Sequence, residues 1–388
     1  MKLNKLKLLL LAALGFSPIA TMVSCSNNSE IKLSLIKPTS MNETNLNEYK
    51  NKLETQMNDY LKNNGHLDMK FKITLVDAGS DSYNVVVDSL TKGESDLGFI
   101  SVGSIIGNEK EIENEVNSNV IQTYTKQFNG DILNAFYTNN GENLQQAAKN
   151  EQVVFDKIRW SEKWNEPKPG NQWDGSLYQA FYNDNNVSYQ RGLIAIVADK
   201  STTAEIVKAW NDKNLNKFIS YGLGIGKPDS GSKYILPEAL MKKHFNSEKK
   251  QFESLEDLKI KNPNKIHENV KLSKASEEKN KDIHIFFDNE GSYSWTHFKD
   301  KIKFAYATNP ATRQGETISF LTLTDPLPFN IGLLSKRITD NQYKIIYDAL
   351  KNTLSGNEVS WGKNVGFSDF GKSNIETVLN TIKNSLGE

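Results

Sequence analysis

The chain has 388 residues, enough for two domains of ordinary size, and its 47 basic and 47 acidic residues cancel. A balanced charge gives no global field that would attract nucleic acid or an anionic membrane surface, so neither is expected as a partner. Aromatic residues make up 10% of the chain, which is typical of a globular protein and excludes a largely disordered one.

The first 24 residues have the features of a secretory signal. A basic start precedes an apolar run over residues 8–20, which Gly15 and Pro18 interrupt and which is too short to span a membrane. The segment then closes with small residues at Cys25, the only cysteine, so no internal disulfide or cysteine metal cluster can form.

This start resembles a bacterial lipoprotein signal, with Met22 where leucine is usual. We therefore expect residues 1–24 to be removed, Cys25 to be acylated and residues 25–30 to form a tether. The mature protein would then be lipid-anchored on the extracellular face of the cell membrane. A plain secretory signal or a short anchor is the alternative.

The next part of the chain alternates strands with helices. The patterns predict strands over residues 31–36, 71–76 and 97–100, with helices over 45–61 and 83–90 between them. Such a β-α-β-α-β order is typical of a parallel sheet covered by helices. Ser101 and Ser104 follow the third strand and are candidates for ligand contact.

The middle of the chain is less regular. Short strands are predicted over residues 120–124 and 133–137, and three tryptophans, Trp173 among them, crowd around a proline-rich stretch. A strong strand over 190–197 and a helix over 203–210 follow.

A stretch from Phe218 to Phe245 combines the clearest local signals. A β-rich apolar run breaks at glycines and a proline, and Asp229, Ser230 and Ser232 then precede a helix-like segment over 236–245. Unpaired N–H groups in the first turn of a helix, together with its dipole, make a natural anion site. Serine and aspartate are also ordinary N-caps, so capping and anion binding both remain open here.

The last third begins with a charged segment over 246–281, which is expected to be a mobile surface excursion with at most a short helix. A buried strand over 283–287 and an extended stretch over 320–335, interrupted by two prolines, come next. Helices over 340–354 and 374–386 end the chain.

Two α/β units are thus joined by extended segments near Gln190 and Thr324, which predicts two lobes with a double crossover. Lobe 1 would hold residues 31–188 with 325–388 returning to it, and lobe 2 residues 189–324. Parallel strands place ligands beyond their carboxyl ends, so the loops over 101–104, 227–232 and 288–295 would share a polar cleft.

Several stretches carry a family resemblance: WDGSLYQ over residues 173–179, YQRGLI over 189–194, AWNDK over 209–213, YGLGIGK over 221–227, DSGS over 229–232 and EGSYSWTH over 290–297. The chain resembles type II periplasmic-binding-protein-like solute receptors of ABC importers, in the phosphonate-binding branch. Within that branch it is most similar to the Cypl-type extracytoplasmic thiamine-binding lipoproteins of wall-less bacteria.

The resemblance implies a two-lobed α/β fold, each lobe a mostly parallel sheet with flanking helices. It also implies a monomeric receptor that closes on thiamine pyrophosphate or a related thiamine phosphate and delivers it to an ABC permease with its ATPase. Ser230, Gly231 and Ser232 would hold the phosphate end of the ligand. The amino end would lie against Asn289, Glu290 and Ser292.

The chemistry of such a ligand asks for hydroxyl and N–H donors, an aromatic wall and a carboxylate. Candidates for the wall are Tyr189, Trp173 and Trp295, although aromatic residues more often pack cores. Arg191 lies at the predicted lobe crossing, where it would either pair with phosphate or hold the hinge.

An enzyme is disfavoured, because the five histidines lack metal-ligand spacing and no nucleophile elbow, P-loop or zinc signature occurs. We expect no cofactor and no metal, with thiamine pyrophosphate as transported ligand. A phosphonate or phosphate-ester receptor of the same fold, or a surface adhesion lipoprotein, remains the alternative.

Overall fold

A computed structural model describes residues 29–38, 43–77, 82–159, 181–275, 277–291, 313, 315–354 and 361–387. The strands among these residues are, in chain order, β1 (Ser29–Ile36), β2 (Met69–Val76), β3 (Leu97–Ile100), β4 (Asn119–Phe128), β5 (Tyr182–Val187), β6 (Tyr189–Gln190), β7 (Gly192–Ala198), β8 (Leu223–Ile225), β9 (Ile266–Glu268), β10 (Ile285–Asn289), β11 (Thr317–Leu323), β12 (Leu327–Pro328), β13 (Ile331–Leu334) and β14 (Asp369–Asn374).

The helices are α1 (Glu43–Asn63), α2 (Ser82–Thr91), α3 (Val102–Gly107), α4 (Glu109–Glu115), α5 (Glu142–Arg159), α6 (Lys200–Asn211), α7 (Leu215–Ile219), α8 (Leu236–Phe245), α9 (Leu255–Lys261), α10 (Asp340–Thr353), α11 (Trp361–Val365) and α12 (Ile375–Leu386). A π-turn, Gly231–Ile235, leads directly into α8.

The first sheet has the order β14-β4-β13-β3-β1-β2, with β5 paired to β4. Helix α1 covers it with the apolar stripe that its i+4 spacing predicts, since Tyr49, Leu53, Met57 and Leu61 are all buried. Each such side chain contributes about 1.5–3 kcal/mol when it leaves water. The stripe packs against β2 and α10 and fixes that face of the sheet.

The second sheet has the order β11-β7-β10-β8-β9. Strand β7 is buried along its whole length because both of its faces are covered. Side chains of Ile194 and Ile196 enter one core cluster, whereas Leu193, Ala195 and Val197 enter another on the opposite face.

Both sheets are mixed, which corrects the prediction of mostly parallel sheets. Strand β1 is parallel to β2 and β3, and β8 is parallel to β9 and β10. Strand β13 is antiparallel to β3 and β4, while β7 is antiparallel to β10 and β11. Strands β7 and β13 each follow a crossover between the sheets. Each therefore enters its sheet in the direction opposite to the parallel strands of that sheet's βαβ units.

Two crossovers connect the sheets and meet in what we call the hinge ribbon, the antiparallel pair of β6 and β12. One crossover runs from β5 through β6 to β7, and the other returns from β11 through β12 to β13. Phe329 N–H donates to Ser188 O at 2.7 Å, and Gly192 N–H donates to the Thr324 hydroxyl at 2.7 Å. The crossings therefore lie where extended segments are predicted.

Helix α5 lies on the second sheet, although residues 31–188 are predicted to form lobe 1. Its Phe155 packs beside Phe320 of β11, and its Gln152 side chain accepts from Phe320 N–H at 2.7 Å. The chain reaches this position through residues 129–141, which follow β4 of the first sheet.

One predicted strand is wrong, and a second is shorter than predicted. Residues 133–137 form turns, and the apolar run beginning at Phe218 opens with helix α7. The Asn214 side chain caps α7 by accepting from Lys217 N–H at 3.0 Å, and Leu215 and Phe218 pack into the core around Trp210. The strand that follows is confined to β8.

The charged segment over 246–281 is part of the core, which corrects its prediction as a surface excursion. Its own residues Phe252, Leu255 and Leu258 are buried, and its strand β9 adds a parallel edge strand to the second sheet. Most apolar residues of this segment are buried, with Ile260 as an exposed exception.

Candidate ligand-binding site

A cavity of about 250 Å³, called the larger cavity below, lies where the two sheets face each other beside the hinge ribbon. One wall comes from α2, α3 and Asn330, and the other from the serine loop, residues 227–232, and the end of β10. Its lining residues are Tyr83, Asn84, Ser101, Ser104, Gln190, Asp229, Ser230, Gly231, Ser232, Asn289 and Asn330.

Ser230 stands at the N-cap position of the π-turn that begins the α8 segment. Its φ of −82° and ψ of 112° are those of a cap, yet its side chain makes no capping hydrogen bond. The N–H groups of the first turn also have no partner inside their own helix. Side-chain capping therefore does not account for this serine, which lines the larger cavity.

Ser232 lines the same cavity but is 4% exposed, and its hydroxyl donates to Gln190 Oε1 at 3.2 Å. The loop is pressed against the hinge: a Cβ on Gly192 would lie 2.4 Å from Ser232 O. Glycine at 192 is thus required by this close approach. The serine loop and the hinge ribbon form one packed unit.

The opposite wall carries the two serines that follow β3. Ser101 is the N-cap of α3 and accepts from Ser104 N–H at 3.3 Å. Above them Asn330 donates to the hydroxyl of Tyr83 at 2.8 Å, and burial raises the pKa of that tyrosine. The structure therefore brings Ser101 and Ser104 to the same cavity as Ser230 and Ser232.

Four lining residues are not among the predicted site residues. Tyr83 and Asn84 read only as helix surface, and Asn330 reads as part of a proline-interrupted strand. Gln190 lies at a predicted crossover. A polar side chain at such a hinge position is the feature of the sequence that could have indicated ligand contact.

A smaller cavity of about 130 Å³ adjoins the larger one and shares Gln190 and Asn289 with it. Tyr189 and Glu290 line it, together with the aromatic rings of Phe128, Tyr182 and Phe329. The predicted amino-end residues Asn289, Glu290 and Tyr189 are thus grouped here. Ser292, Trp295, Trp173 and Cys25 lie outside the described residues.

Arg191 holds the hinge. Its side chain is fully buried, and its guanidinium donates to Asp131 Oδ1 at 3.0 Å, Ala135 O at 2.9 Å and Thr324 O at 3.0 Å. Asp131 also accepts from the Tyr189 hydroxyl at 2.5 Å, and burial and this carboxylate raise the pKa of Tyr189. Of the two roles that the sequence leaves open for Arg191, the hinge role is the one its contacts support.

Glu290 is the least satisfied group of the smaller cavity. One of its buried carboxyl oxygens has no hydrogen-bond partner among the described residues, while the side chain hydrogen-bonds to that of Glu151. Burial first, and then the charge of Asp131, raise the pKa of Glu290 to about 7. A cationic or N–H-bearing ligand group would supply the missing partner.

The family model of CypI, described as extracytoplasmic thiamine-binding lipoprotein, matches residues 43–387. The chain belongs to this family. Among curated relatives, the high affinity transport system protein p37 of Mesomycoplasma hyorhinis is 27% identical over 95% of this chain and 96% of its own length. The p37 protein of Mycoplasma pneumoniae is 29% identical over 74% of this chain and 77% of its own.

A solved structure of Mh-p37 from Mycoplasma hyorhinis, described as a proposed thiamine pyrophosphate transporter, superposes with a TM-score of 0.76 at 22% identity. The match covers 92% of this chain and 98% of that one. The fold class expected of CypI proteins, a two-lobed type II periplasmic-binding-protein-like fold with two crossovers, is confirmed. The chain is accordingly a member of an extracytoplasmic transport-protein family.

The described residues lack two features that would indicate other kinds of protein. Within them, no helix has the length and apolar character needed to cross a membrane. The same part of the chain holds no group of three or more histidine, cysteine, aspartate or glutamate side chains placed to bind a metal ion.

Proposed function

We propose that the chain is the solute-binding component of an ABC importer and binds thiamine pyrophosphate, or a related thiamine phosphate, between its two lobes. The phosphate end would lie in the larger cavity against Ser230, Gly231 and Ser232, with Ser101 and Ser104 opposite. The amino and ring end would lie in the smaller cavity near Tyr189, Asn289 and Glu290. Ser292, Trp295 and Trp173 are proposed as further contacts.

The observation that carries this proposal is the uncapped Ser230 at a helix start that faces an inter-sheet cavity. Hydroxyl and N–H donors at such a place are suited to phosphate oxygens. No lysine or arginine is among the described residues that line the larger cavity. The anion would therefore be held by neutral donors, which favours a site that selects by geometry over one that selects by charge alone.

The lining of the smaller cavity is suited to the amino and ring end of the ligand. A flat ring would lie among its aromatic side chains, and a cationic ring would be attracted to their faces. The unsatisfied oxygen of Glu290 is an acceptor for an exocyclic amino group. Asn289 and Gln190 border both cavities, so one ligand can extend from one to the other.

Anchoring and delivery complete the proposal. Acylation of Cys25 would hold the protein at the extracellular membrane surface, where the permease and ATPase would receive its ligand. The two lobes would move about the hinge ribbon. Lobe 1 comprises residues 31–188 and 325–388 without α5, and lobe 2 comprises residues 189–324 together with α5.

A phosphonate or phosphate-ester receptor is the second candidate, because the larger cavity alone contains the proposed anion donors. An alkylphosphonate would fill it and leave the smaller cavity empty. The surface adhesion lipoprotein has no feature of the described residues in its favour.

Native mass spectrometry of the purified protein, followed by calorimetric titration, tests the ligand. Thiamine pyrophosphate, thiamine monophosphate, thiamine and methylphosphonate would be compared on the same preparation. A retained or tightly bound thiamine phosphate supports the importer proposal, and methylphosphonate binding without any thiamine species supports the second candidate. Binding of neither class contradicts both.

The placement of the phosphate end is tested by Ser230→Ala combined with Ser232→Ala. A hydrogen bond to a charged oxygen contributes about 1.5–3 kcal/mol, so each lost bond should weaken thiamine pyrophosphate tenfold or more and leave thiamine nearly unchanged. Ser220→Ala is the matched control, because that exposed hydroxyl donates to Lys217 O outside both cavities. Equal losses for both ligands contradict the placement.

A further inference from the structure

Helix α3 of the first half contacts the serine loop of the second half across the larger cavity. A Cβ placed on Gly103 would lie 2.2 Å from Asp229 O, 3.3 Å from its carbonyl carbon and 3.7 Å from Ile235 Cδ1. An ordinary contact begins at 3.4 Å, so the backbones are about 1.2 Å too close for any side chain at position 103. Only glycine permits this approach.

Nothing in α3 itself requires glycine at this position. Its φ is not in the left-handed region, and a glycine inside a helix is less favourable than alanine by about 0.5–1 kcal/mol. All three atoms that a Cβ would meet belong to the opposite wall. Gly107 in the same helix has no atom within 4 Å of its Cβ position. The requirement at 103 therefore comes from the contact across the cavity.

The contact sets the distance between the two pairs of serines. Ser101 and Ser104 flank Gly103 in α3, and Ser230 follows Asp229 in the serine loop. A separation of about 1.2 Å at this point is enough to break a hydrogen bond made from either wall, because such bonds fail beyond about 3.2 Å. An anion that bonded to donors on both walls would therefore lose the bonds from one wall if the backbones separated by this distance.

We propose that Gly103 is the closure residue of this cleft: its missing side chain lets α3 reach the Asp229 carbonyl and thereby brings both serine pairs onto one anion. Gly103 is a positioning residue, since it acts through the serines. The ligand part of this inference rests on the proposed function, whereas the closure part concerns the protein alone.

The test compares Gly103→Ala with Gly107→Ala in the full chain, with Cys25→Ser, Asp88→Cys and Asp212→Cys introduced for paired dyes. Asp88 on α2 and Asp212 after α6 are exposed side chains on the two sides of the cleft. Single-molecule energy transfer measures the closed population without ligand and with thiamine pyrophosphate. Calorimetry measures the dissociation constant, and urea unfolding without ligand measures the stability of each variant.

We expect Gly107→Ala to behave as the parent protein. Gly103→Ala should lose most of the closed population in both conditions and bind thiamine pyrophosphate at least tenfold more weakly. Its unfolding midpoint should fall below that of Gly107→Ala by no more than the lost closed population accounts for. A larger side chain, in Gly103→Val, should reduce closure further.

Equal closure and equal affinity for the two alanine variants would overturn the proposal. So would a lower unfolding midpoint for Gly103→Ala without ligand together with an unchanged closed population, since that result would assign the glycine to packing within its own lobe. If the parent protein does not bind thiamine pyrophosphate, the proposed function fails, and the closed population without ligand still decides the role of Gly103.

Discussion

Asp131 and Arg191 form an ion pair with 3.0 Å between Oδ1 and Nε, and their side chains are 2% and 0% exposed. The pair joins the segment between β4 and α5 to the crossover that leads into β7. Because both charges are removed from water, their attraction is not screened as it would be at the surface. It fixes three passing segments at the hinge: residues 131–135, residue 191 and residue 324.

Asp131→Ala should lower the free energy of unfolding by about 3–5 kcal/mol, because it leaves a buried guanidinium without its counter-charge. Urea unfolding without ligand measures the change. Asp88→Ala is the control, since the Asp88–Lys92 pair is exposed and such pairs contribute about 0.3–0.5 kcal/mol. A loss below about 1 kcal/mol for Asp131→Ala would show that water or another donor replaces the pair.

Glu290→Gln should make the ligand-free protein more stable at pH 8. The folded-state pKa of Glu290 is raised to about 7 from an ordinary value of 4.5, so its stabilising contribution is full below pH 4.5 and is lost as pH rises through 7. Glutamine does not ionise and avoids this loss, which we expect to be ~1–3 kcal/mol at pH 8.

Urea unfolding of Glu290→Gln and the parent at pH 5 and pH 8 measures this difference. Glu248→Gln, at an exposed side chain, serves as the control. The same variant should bind a cationic ligand more weakly at pH 8, because the neutral amide has no negative charge to attract it. A variant that is less stable than the parent at pH 8 would indicate that Glu290 is ionised and paired in the folded state.

Regular elements are the part of the fold that local sequence could predict. The helix predicted over 45–61 is observed as Glu43–Asn63, because its buried stripe repeats at helical spacing. Residues 133–137 have an equally apolar, strand-like pattern, yet no neighbouring strand takes their hydrogen bonds. Ile132 O and Ala135 O accept from Arg191 instead. The hydrogen bonds of this segment go to Arg191, which is more than 50 positions away in the chain. A local sequence pattern cannot reveal such a partner.

The candidate site also has a part that local sequence could predict and a part that it could not. The serine loop was predictable, because glycines and serines before a helix are a local signal for an anion site. Tyr83 and Asn330 were not, since they are 247 positions apart and meet only after the second crossover returns to the first sheet. The uncapped state of Ser230 is likewise visible only in the folded backbone.

His244→Phe should destabilise the protein at pH 7 and less so at lower pH. His244 Nε2 donates to Trp210 O at 2.8 Å, Nδ1 accepts from the Tyr137 hydroxyl at 3.0 Å, and the ring stacks on Trp210. Burial lowers the pKa of His244 to about 4. Phenylalanine keeps the stacking and leaves two polar groups without partners, at a cost of about 1–3 kcal/mol.

The sign of the pH dependence follows from the lowered pKa. The contribution of a neutral buried histidine is present above its ordinary pKa of 6.5 and is lost as pH falls through the folded value of about 4. The gap in unfolding free energy between parent and His244→Phe should therefore narrow from pH 7 to pH 4.5. A constant gap would mean that His244 is protonated without penalty in the folded state.

Phe252→Ala tests whether the charged segment over 246–281 is part of the core. Phe252 is 1% exposed and belongs to the apolar cluster around Trp210 and Phe245, so its loss leaves a cavity and should cost about 3–5 kcal/mol. Ile260→Ala lies in the same segment but removes a side chain that is 71% exposed, and its cost should stay within about 0.5 kcal/mol. Because the two substitutions differ in burial and share the segment, urea unfolding separates a structural segment from a loose one. If both substitutions had similarly small effects, residues 246–281 would not be part of the core, and their prediction as a surface excursion would stand.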